Sequence, residues 1–402
     1  MDSSQKSPVS RGDAREVTRE KLETVLKSFH KTRNPDVDPV LEIRDWTIEE
    51  KSSEREGFLS EQVSASVKYV SAGEELCAHL LFKFLPQDEH ALALMRENLF
   101  DLREVKFYTQ VKPALENIER AHLSADDLAV PWAPALYYAK YDAGQESMLV
   151  LENMCPHGYK VEDFNKGLSY VQAKSALVAI ANFHAASLAL QVKEGKPLQE
   201  RFPFLYSVEQ AVTCFAYLVE RLLPTTLGFF ESRKNRQEVR DRLQRFISGK
   251  DIKLVLREAL TPSGKFNTLL HYDFWCNNLL VRSEGDATHS CIVDWQMLAY
   301  GLPALDVSLM IWSSLTPSVR RQYGQTLRSD YWAALTSRLA KFGIDLGTLG
   351  YGRKDFDAEF RAADLVSGLI MLGSTDIASG FPDREERHVE IIADLVQEGI
   401  YS

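Results

Sequence analysis

The period of the hydrophobic residues changes along this chain, and that change constrains the fold more than any other feature. Up to about residue 152, apolar and polar residues alternate in several short stretches, which is the pattern of half-buried strands. Beyond about residue 162, apolar residues recur at helical spacing over long stretches. The 402-residue chain is therefore predicted to be an α+β protein, with a small antiparallel-sheet lobe followed by a larger, mostly helical lobe.

Three regions are predicted along the chain. They are a flexible tail over 1–14, an N-terminal lobe over 15–151 and a helical C-terminal lobe over 152–402. Within the N-terminal lobe we expect a helix near 15–30, strands within 39–70 and 78–86, a helix within 88–117 and a hairpin over 135–154. Further helices are expected between about 165 and 260.

Charge and cysteine content exclude several classes of function. The net charge of −10 disfavours non-specific binding to nucleic acid or to an anionic membrane. The five cysteines are scattered and form no C-x-x-C pair, so neither a disulfide framework nor a zinc site is expected. There is no uninterrupted apolar stretch of ~18 residues and no apolar N-terminal segment, so we expect no membrane insertion and a cytoplasmic location.

The segment 269–296, LLHYDFWCNNLLVRSEGDATHSCIVDWQ, carries the candidate chemistry. Two apolar runs flank a polar turn over 283–290, which predicts a hairpin that brings Asn278 close to Asp294. A carboxamide and a carboxylate offer the oxygen ligands that suit Mg²⁺. Asp273, one short loop upstream, could meet a hydroxyl beside the metal. Each of these residues alone is typical of turns and helix caps, and it is their combined spacing that indicates a site.

HYDFWCNN followed by IVDWQ resembles the catalytic motif of the aminoglycoside phosphotransferase and choline kinase superfamily. It is most similar to the ecdysteroid kinase-like (CHK kinase-like) branch, which carries His-Gly-Asp-x-Trp-x-Asn-Asn and a following Asp-Phe-Gln. Trp275, Asn277, Asn278 and Gln296 match that branch. The resemblance spans roughly residues 40–380. It implies a bilobal protein-kinase-like fold, with ATP and Mg²⁺ as cofactors and transfer of the γ-phosphate to a hydroxyl of a small molecule.

The resemblance also implies roles for individual residues. In the catalytic loop, Asp273 would accept the proton of the acceptor hydroxyl, with His271 and Asn278 beside it, and Asn278 and Asp294 would hold Mg²⁺. Lys83, in LLFKFLP, would bind the ATP phosphates. Its partner would be Glu104, which shares a helix face with Phe100 and Phe107 and so points with the buried residues.

Two further segments match by their order in the chain. MLVLENM (148–154) resembles the hinge of the family, so the main chain of Glu152, Asn153 and Met154 would bind the adenine edge. EGFLSEQVSASVKYV (56–70) occupies the place of the glycine-rich phosphate loop but contains a single glycine, Gly57. Main-chain N–H groups there, with Ser60 or Ser64, would cradle phosphate.

The catalytic loop departs from the family pattern at Tyr272, which replaces a glycine able to adopt positive φ. This departure and the glycine-poor loop around Gly57 leave a nucleotide-binding pseudokinase as an alternative to an active enzyme. Asp306 is expected to cap the helix that follows it, and His184 to be a packed structural residue. Asp306 also follows Asp294 too closely for an activation segment, which argues against a protein kinase.

The resemblance implies that the helices between about 165 and 260 form an acceptor-binding region. The sequence does not identify the acceptor molecule. A steroid-like or xenobiotic hydroxyl is favoured by the resemblance, and a choline- or ethanolamine-type acceptor is the alternative. A cationic acceptor needs an aromatic and acidic cage, whereas a steroid needs a wide apolar pocket. Aromatic residues at helical spacing would serve either purpose or belong to the core: Phe204, Tyr206, Phe215, Tyr217, Phe229 and Phe230.

Overall fold

The computed structural model describes residues 16–50, 60–128, 130–143, 146–231, 233–262 and 266–401. The predicted tail at 1–14 and the predicted phosphate-loop residue Gly57 lie outside these described residues. The elements that are described, a five-stranded antiparallel sheet and a large set of helices, confirm the α+β class.

The chain divides into two compact units. The first contains residues 1–96 and 135–153, and the second contains residues 97–134 and 154–402. Sequence reasoning placed the boundary after residue 151 and assigned 97–134 to the first lobe. In the structure, this segment belongs to the second unit, where Phe107 stacks on Trp295 with ring centres 4.0 Å apart. Hydrophobic periodicity shows that a helix has a buried face, but it does not show which partner covers that face.

The first unit is built on one antiparallel sheet with the strand order β1-β2-β3-β5-β4. Its elements in chain order are α1 (Arg19–Arg33), β1 (Leu41–Glu50), β2 (Glu61–Ser71), β3 (Glu74–Phe84), α2 (Glu89–Glu97), β4 (Leu136–Asp142) and β5 (Glu146–Glu152). The β2–β3 turn consists of Ala72 and Gly73, both at positive φ (51° and 84°). Turns of this kind match the right-handed twist of paired strands.

Helix α1 supplies the apolar cover of this sheet. Thr18 caps its N-terminus by accepting a hydrogen bond from the N–H of Lys21, an interaction that stabilises a helix by about 1 kcal/mol. Leu22 and Leu26 are fully buried and form one cluster with strand residues such as Phe82. Burial of each such side chain contributes about 1.5–3 kcal/mol, so the helix and the sheet fold as one layer pair.

The second unit is mostly helical. Its helices are α3 (Phe100–Lys106), α4 (Lys112–His122), α5 (Tyr170–Glu194), α6 (Leu198–Arg201), α7 (Val208–Glu231), α8 (Gln237–Ser248), α9 (Ile252–Leu260), α10 (Ala304–Ser314), α11 (Pro317–Lys341), α12 (Arg353–Leu372) and α13 (Pro382–Gln397). Its strands are β6 (Thr268–Leu270), β7 (Leu279–Glu284), β8 (Ala287–Ile292) and β9 (Ala299–Gly301). A π-helical turn, Phe107–Val111, joins α3 to α4.

Helix α5 is the central helix of this unit. Ser169 and Gln172 form a capping box at its N-terminus, and the helix packs against α11 and β8. Within the described residues it is the one helix long and apolar enough to cross a membrane, by length and composition alone. Because 72% of its most apolar window is buried inside the structure, it also has the burial of a core helix.

The predicted hairpin over 279–292 is present with a shorter turn than expected. Only Gly285 and Asp286 form the turn, and Leu279 pairs with Ile292. Gly285 has a φ of 56°, which allows this two-residue connection. The N–H of Val293 donates to the carbonyl of Asn278 at 3.0 Å, so Asp294 lies one residue beyond the partner of Asn278.

Candidate active site

A loop between β6 and β7 brings Asp273 and Asn278 into contact. The amide nitrogen of Asn278 donates to the Asp273 carboxylate at 2.9 Å and to the Asp273 main-chain carbonyl at 2.8 Å. Asn278 is buried, so its amide group is held in one orientation. The two bonds use the amide nitrogen, and the amide oxygen is the atom suited to a hard cation.

Asp294, at the end of the hairpin, is an electrostatic neighbour of Asp273. Removal from water, followed by the charge of Asp294, raises the pKa of Asp273 to about 7, against a lowering effect of the Asn278 hydrogen bond. Two carboxylates that repel each other are a site at which a divalent cation is favourable. The described residues contain no group of three or more His, Cys, Asp or Glu side chains able to hold a metal. The assignment of Asn278 and Asp294 as metal ligands stays a prediction.

The segment that carries Asp294 packs against the π-helical turn Phe107–Val111. Asp294 adopts a φ of 67°, a conformation that costs a non-glycine residue about 1–3 kcal/mol and is concentrated at functional sites. The next residue, Trp295, is fully buried and stacks on Phe107 at an interplanar angle of 6°. The chain thus turns sharply at Asp294 and is anchored immediately afterwards.

Arg103 supplies a second anchor, which sequence reasoning missed. Its guanidinium donates to the main-chain carbonyls of Gln296 at 2.8 Å, Phe204 at 3.0 Å and Asn98 at 3.0 Å. Burial lowers its pKa to about 10. A buried arginine that binds carbonyl groups leaves no local sequence pattern here, because two of its three partners lie 101 and 193 positions away in the chain.

His271 is a positioning residue in this structure. Its Nε2 atom donates to the carbonyl of Val293 at 2.9 Å, and its Nδ1 atom accepts from the N–H of Asp273 at 3.3 Å. These partners define a neutral imidazole, and burial lowers its pKa. His271 was predicted beside the reacting groups as a catalytic residue. That role stays a prediction; in the structure both ring nitrogens form hydrogen bonds that hold the loop against Val293.

Asp306 holds the same loop from the other side, and the prediction that it caps a helix is wrong. Pro303 occupies the N-cap position of α10. The Asp306 carboxylate accepts the N–H groups of His271 and Tyr272, both at 2.8 Å. It also accepts from Nε2 of His184 at 3.1 Å. Asp306 lies in the first turn of α10, which faces the loop, so the Asp306 carboxylate binds the main chain of the loop.

Two expectations about these neighbours are confirmed. His184 is fully buried and, besides Asp306, binds the hydroxyl of Tyr331 at 2.7 Å, as a packed structural residue would. Tyr272 has a φ of 68°, so the position does require the backbone conformation that glycine adopts most easily. Its bond to Asp306 offsets the strain of a tyrosine there.

The remaining predicted residues are distributed over both units. Lys83 is buried on β3, and Ser60 lies just before β2, both in the first unit. Glu104 is buried on α3 in the second unit, with Phe100 and Phe107 also buried as their spacing predicts. The partnership of Lys83 with Glu104 stays a prediction.

The predicted hinge segment makes several main-chain hydrogen bonds within the protein. The N–H of Glu152 donates to the carbonyl of Ala135, and the N–H of Asn153 donates to the carbonyl of His79, each at 2.8 Å. The carbonyl of Met154 accepts from His157 at 3.1 Å. Some main-chain groups of the segment are thus used inside the protein, and the binding of an adenine edge by Glu152, Asn153 and Met154 stays a prediction.

Several solved structures resemble this chain distantly. Choline kinase from Cryptosporidium parvum Iowa II shares 13% identity at a TM-score of 0.44, with 88% of this chain and 91% of that chain covered. Ethanolamine kinase from Plasmodium vivax shares 12% at 0.41, with 95% and 89% covered. The GDP complex of wild-type aminoglycoside 2'-phosphotransferase-IIIa shares 13% at 0.41, with 95% and 100% covered. No curated protein sequence matches the chain.

The sequence family is decided by a closer match. Residues 54–344, well over half of the chain, match the family described as the ecdysteroid kinase-like family. The match confirms the family and the kinase-like fold predicted from HYDFWCNN and IVDWQ. The chain belongs to the ecdysteroid kinase-like family, and its enzyme class is that of the phosphotransferases that act on hydroxyl groups of small molecules.

Proposed function

We propose that the protein is an ATP- and Mg²⁺-dependent kinase that phosphorylates a hydroxyl group of an uncharged, largely apolar small molecule. Steroid-like and xenobiotic alcohols are the favoured acceptors. The observation that carries this proposal is the grouping of Asp273, Asn278 and Asp294 at the base of one hairpin. A carboxylate near a hydroxyl acceptor, with oxygen ligands for a cation beside it, is the equipment that phosphoryl transfer needs.

Asp273 is the proposed general base. The acceptor hydroxyl gives its proton to the Asp273 carboxylate while its oxygen forms a bond to the γ-phosphorus. The bond from that phosphorus to the β-phosphate oxygen breaks, and ADP leaves. The amide of Asn278 holds the carboxylate in place. A pKa near 7 matches a base that works at neutral pH.

The proposed Mg²⁺ ligands are the amide oxygen of Asn278 and the carboxylate of Asp294. The mutual repulsion of Asp273 and Asp294 and the hard oxygen donors fit such an ion. When bound, Mg²⁺ would neutralise part of the negative charge of the ATP phosphates. We also propose that Lys83 binds the α- and β-phosphates and that Glu104 orients it, as the order of the motifs indicates.

The surroundings of Tyr272 support an uncharged acceptor over choline. The ring of Tyr272, next to Asp273, lies 6.3 Å from Tyr206 and 5.8 Å from Phe215. The guanidinium of Arg103 lies 4.8 Å from the centre of the Tyr206 ring. This fixed positive charge already occupies an aromatic face and would repel a quaternary ammonium group. An apolar acceptor meets no such repulsion.

The test is a product search with a matched pair of variants. The purified chain is incubated with Mg-ATP and a pool of steroids, phenolic xenobiotics, choline and ethanolamine. Mass spectrometry then identifies products that carry one added phosphoryl group. Asp273→Asn should reduce turnover by ~10²–10⁴ while ATP binding is kept. Asp286→Asn, at the exposed turn of the same hairpin, should retain wild-type turnover.

Each outcome has a defined meaning. A phosphorylated steroid or phenol that is absent with Asp273→Asn supports the proposal. Phosphorylation of choline alone would contradict the acceptor class. Wild-type turnover by Asp273→Asn would contradict the role of Asp273, and ATP binding without any product from the pool would favour the pseudokinase.

A further inference from the structure

A cavity of about 500 Å³ lies in the second unit, against strand β8 of the hairpin that ends at Asp294. Helix α5, helix α11 and strand β8 form its walls, together with the segment of Val130, Pro131 and Trp132. Within the described part of the chain, its lining includes none of Asp273, Asn278 and Asp294. The volume is in the range of sites that hold small organic molecules.

Apolar side chains are exposed around this cavity. Val130, Val171 and Val178 all line it, with exposed fractions of 41%, 53% and 37%. Pro131, also in the lining, is exposed as well. Large apolar side chains that share one concave surface and remain in contact with water mark a place where a ligand gains free energy by covering them.

The charged groups of the lining are largely neutralised within the protein. Three basic side chains of the lining each form an ion pair: Lys174 with Asp330 at 3.1 Å, Arg338 with Glu119 at 2.7 Å, and Lys341 with Asp127. A charged ligand would have to compete with these partners. Asn182 and His289 offer hydrogen-bonding groups beside the valines. Apolar and polar groups line the cavity in similar measure. It is therefore complementary to an uncharged molecule that has both apolar surface and several hydrogen-bonding atoms.

Trp132 links this cavity to the segment that carries Asp294. It lines the cavity, and its main-chain carbonyl accepts the N–H of Ile292 at 2.8 Å. Its ring lies 5.6 Å from that of Trp295, the residue that follows Asp294. A molecule that packs against Trp132 would therefore act on the anchor of Asp294 through two direct contacts.

We propose that this cavity is an effector site for an uncharged small molecule with both apolar and hydrogen-bonding groups, and that its occupancy changes the affinity of the Asp294 segment for Mg²⁺. The binding half of this proposal, that the cavity holds such a molecule, depends only on the observations of the cavity. The regulatory half rests on the proposed function, because it takes Asp294 as a metal ligand. The cavity is distinct from the acceptor site proposed beside Asp273.

The binding test uses two fluorescent probes that differ by one charge. N-phenyl-1-naphthylamine is uncharged, and 8-anilino-1-naphthalenesulfonate is the same skeleton with a sulfonate. The uncharged probe should give a saturable fluorescence increase with the wild-type chain. Val178→Glu, which places a carboxylate in the apolar rim, should weaken that binding component about tenfold or more. Val192→Glu is the matched control, since Val192 lies on the same helix with a similar exposure of 40% but outside the cavity lining.

Three results would overturn the binding half. They are the absence of a saturable component, an equal loss in both glutamate variants, and binding of the anionic probe as tight as that of the uncharged one. For the regulatory half, the apparent Mg²⁺ dissociation constant is measured with a non-hydrolysable ATP analogue, with and without the uncharged probe. It should change about threefold or more in the wild type and stay constant in Val178→Glu.

The two proposals fail in different ways. If Mg²⁺ does not bind the wild-type chain at all, the proposed function and the regulatory half are both refuted. The probe titration still tests whether the cavity binds an uncharged molecule. If Mg²⁺ binds normally and the bound probe leaves its dissociation constant unchanged, only the regulatory link is refuted.

Discussion

Replacing Asp306 with asparagine should destabilise the second unit by about 3 kcal/mol. The carboxylate accepts two main-chain N–H groups, from His271 and Tyr272, at 2.8 Å each. Asparagine keeps one oxygen and presents a donor where the second oxygen was, so one of these N–H groups loses its partner. A hydrogen bond to a charged group contributes about 1.5–3 kcal/mol and a neutral one about 1 kcal/mol. One bond lost at about 2 kcal/mol and one weakened by about 1 kcal/mol give this sum.

Urea unfolding followed by tryptophan fluorescence measures this effect in the relevant unit. Five of the six tryptophans lie in the second unit: Trp132, Trp275, Trp295, Trp312 and Trp332. Asp286→Asn, a change of the same chemistry at an exposed turn, should alter the free energy of unfolding by less than about 0.5 kcal/mol. Hydrogen exchange should show protected amides at residues 271 and 272 in the wild type and lost protection at one or both in Asp306→Asn.

The same change should also reduce turnover. Tyr272 is held at a φ of 68°, a conformation with a strain of about 1–3 kcal/mol, and its bond to Asp306 opposes relaxation. Once that bond is lost, Asp273, the next residue, moves with the main chain. A displacement of the reacting group by ~1 Å can cost ~10²-fold in rate. An Asp306→Asn protein with wild-type stability and unchanged amide protection would refute the role of Asp306 in holding the loop.

Three further changes test other parts of the unit. Arg103→Lys should cost about 3 kcal/mol of stability, because a lysine cannot reach all three carbonyls, and should lower turnover through the freed Gln296; unchanged turnover would contradict the anchoring role. Asp294→Ala should abolish Mg²⁺-dependent nucleotide binding, and a normal metal titration would rule out its role as a ligand. Burial lowers the pKa of His388 from 6.5 to about 4, so the fold favours the neutral form. Below pH 6.5 the unfolded chain takes up a proton on His388 before the folded chain does. The free energy of unfolding is therefore at its full value above pH 6.5 and decreases as the pH falls from 6.5 to 4, by about 2 kcal/mol at pH 5. His388→Gln should remove this component from the pH profile of urea unfolding, and an unchanged profile would contradict it.

Elements with strong local patterns were predicted well from the sequence. The strands of the first unit and the hairpin that ends at Asp294 carry a period of apolar residues that is set by which face is buried. Helix α5 was recognised by its long apolar stretch, since residues 183–190 are all buried. The burial of Glu104 followed in the same way from its spacing with Phe100 and Phe107. The positive φ at Tyr272 is consistent with the glycine that the family motif has at this position, and it came from the resemblance and not from a local pattern.

Contacts between distant parts of the chain were not predictable in this way. Arg103 binds Gln296 across 193 positions, and Asp306 binds His271 across 35. Neither contact leaves a periodic pattern, since each depends on how two elements pack and not on how either one forms. The same reason explains why Asp306 looked like a helix cap, and why the segment 97–134 was assigned to the first unit.

The features around Asp273 and Asp294 are difficult to explain as devices for stability. Tyr272 and Asp294 both hold a left-handed backbone without being glycine, and the two carboxylates repel each other. Each of these features alone raises the free energy of the folded chain. His271, Arg103 and Asp306 use buried hydrogen bonds to hold that unfavourable arrangement in place. A cation bound between the carboxylates would relieve their repulsion, and that is the physical reason to expect chemistry at this loop.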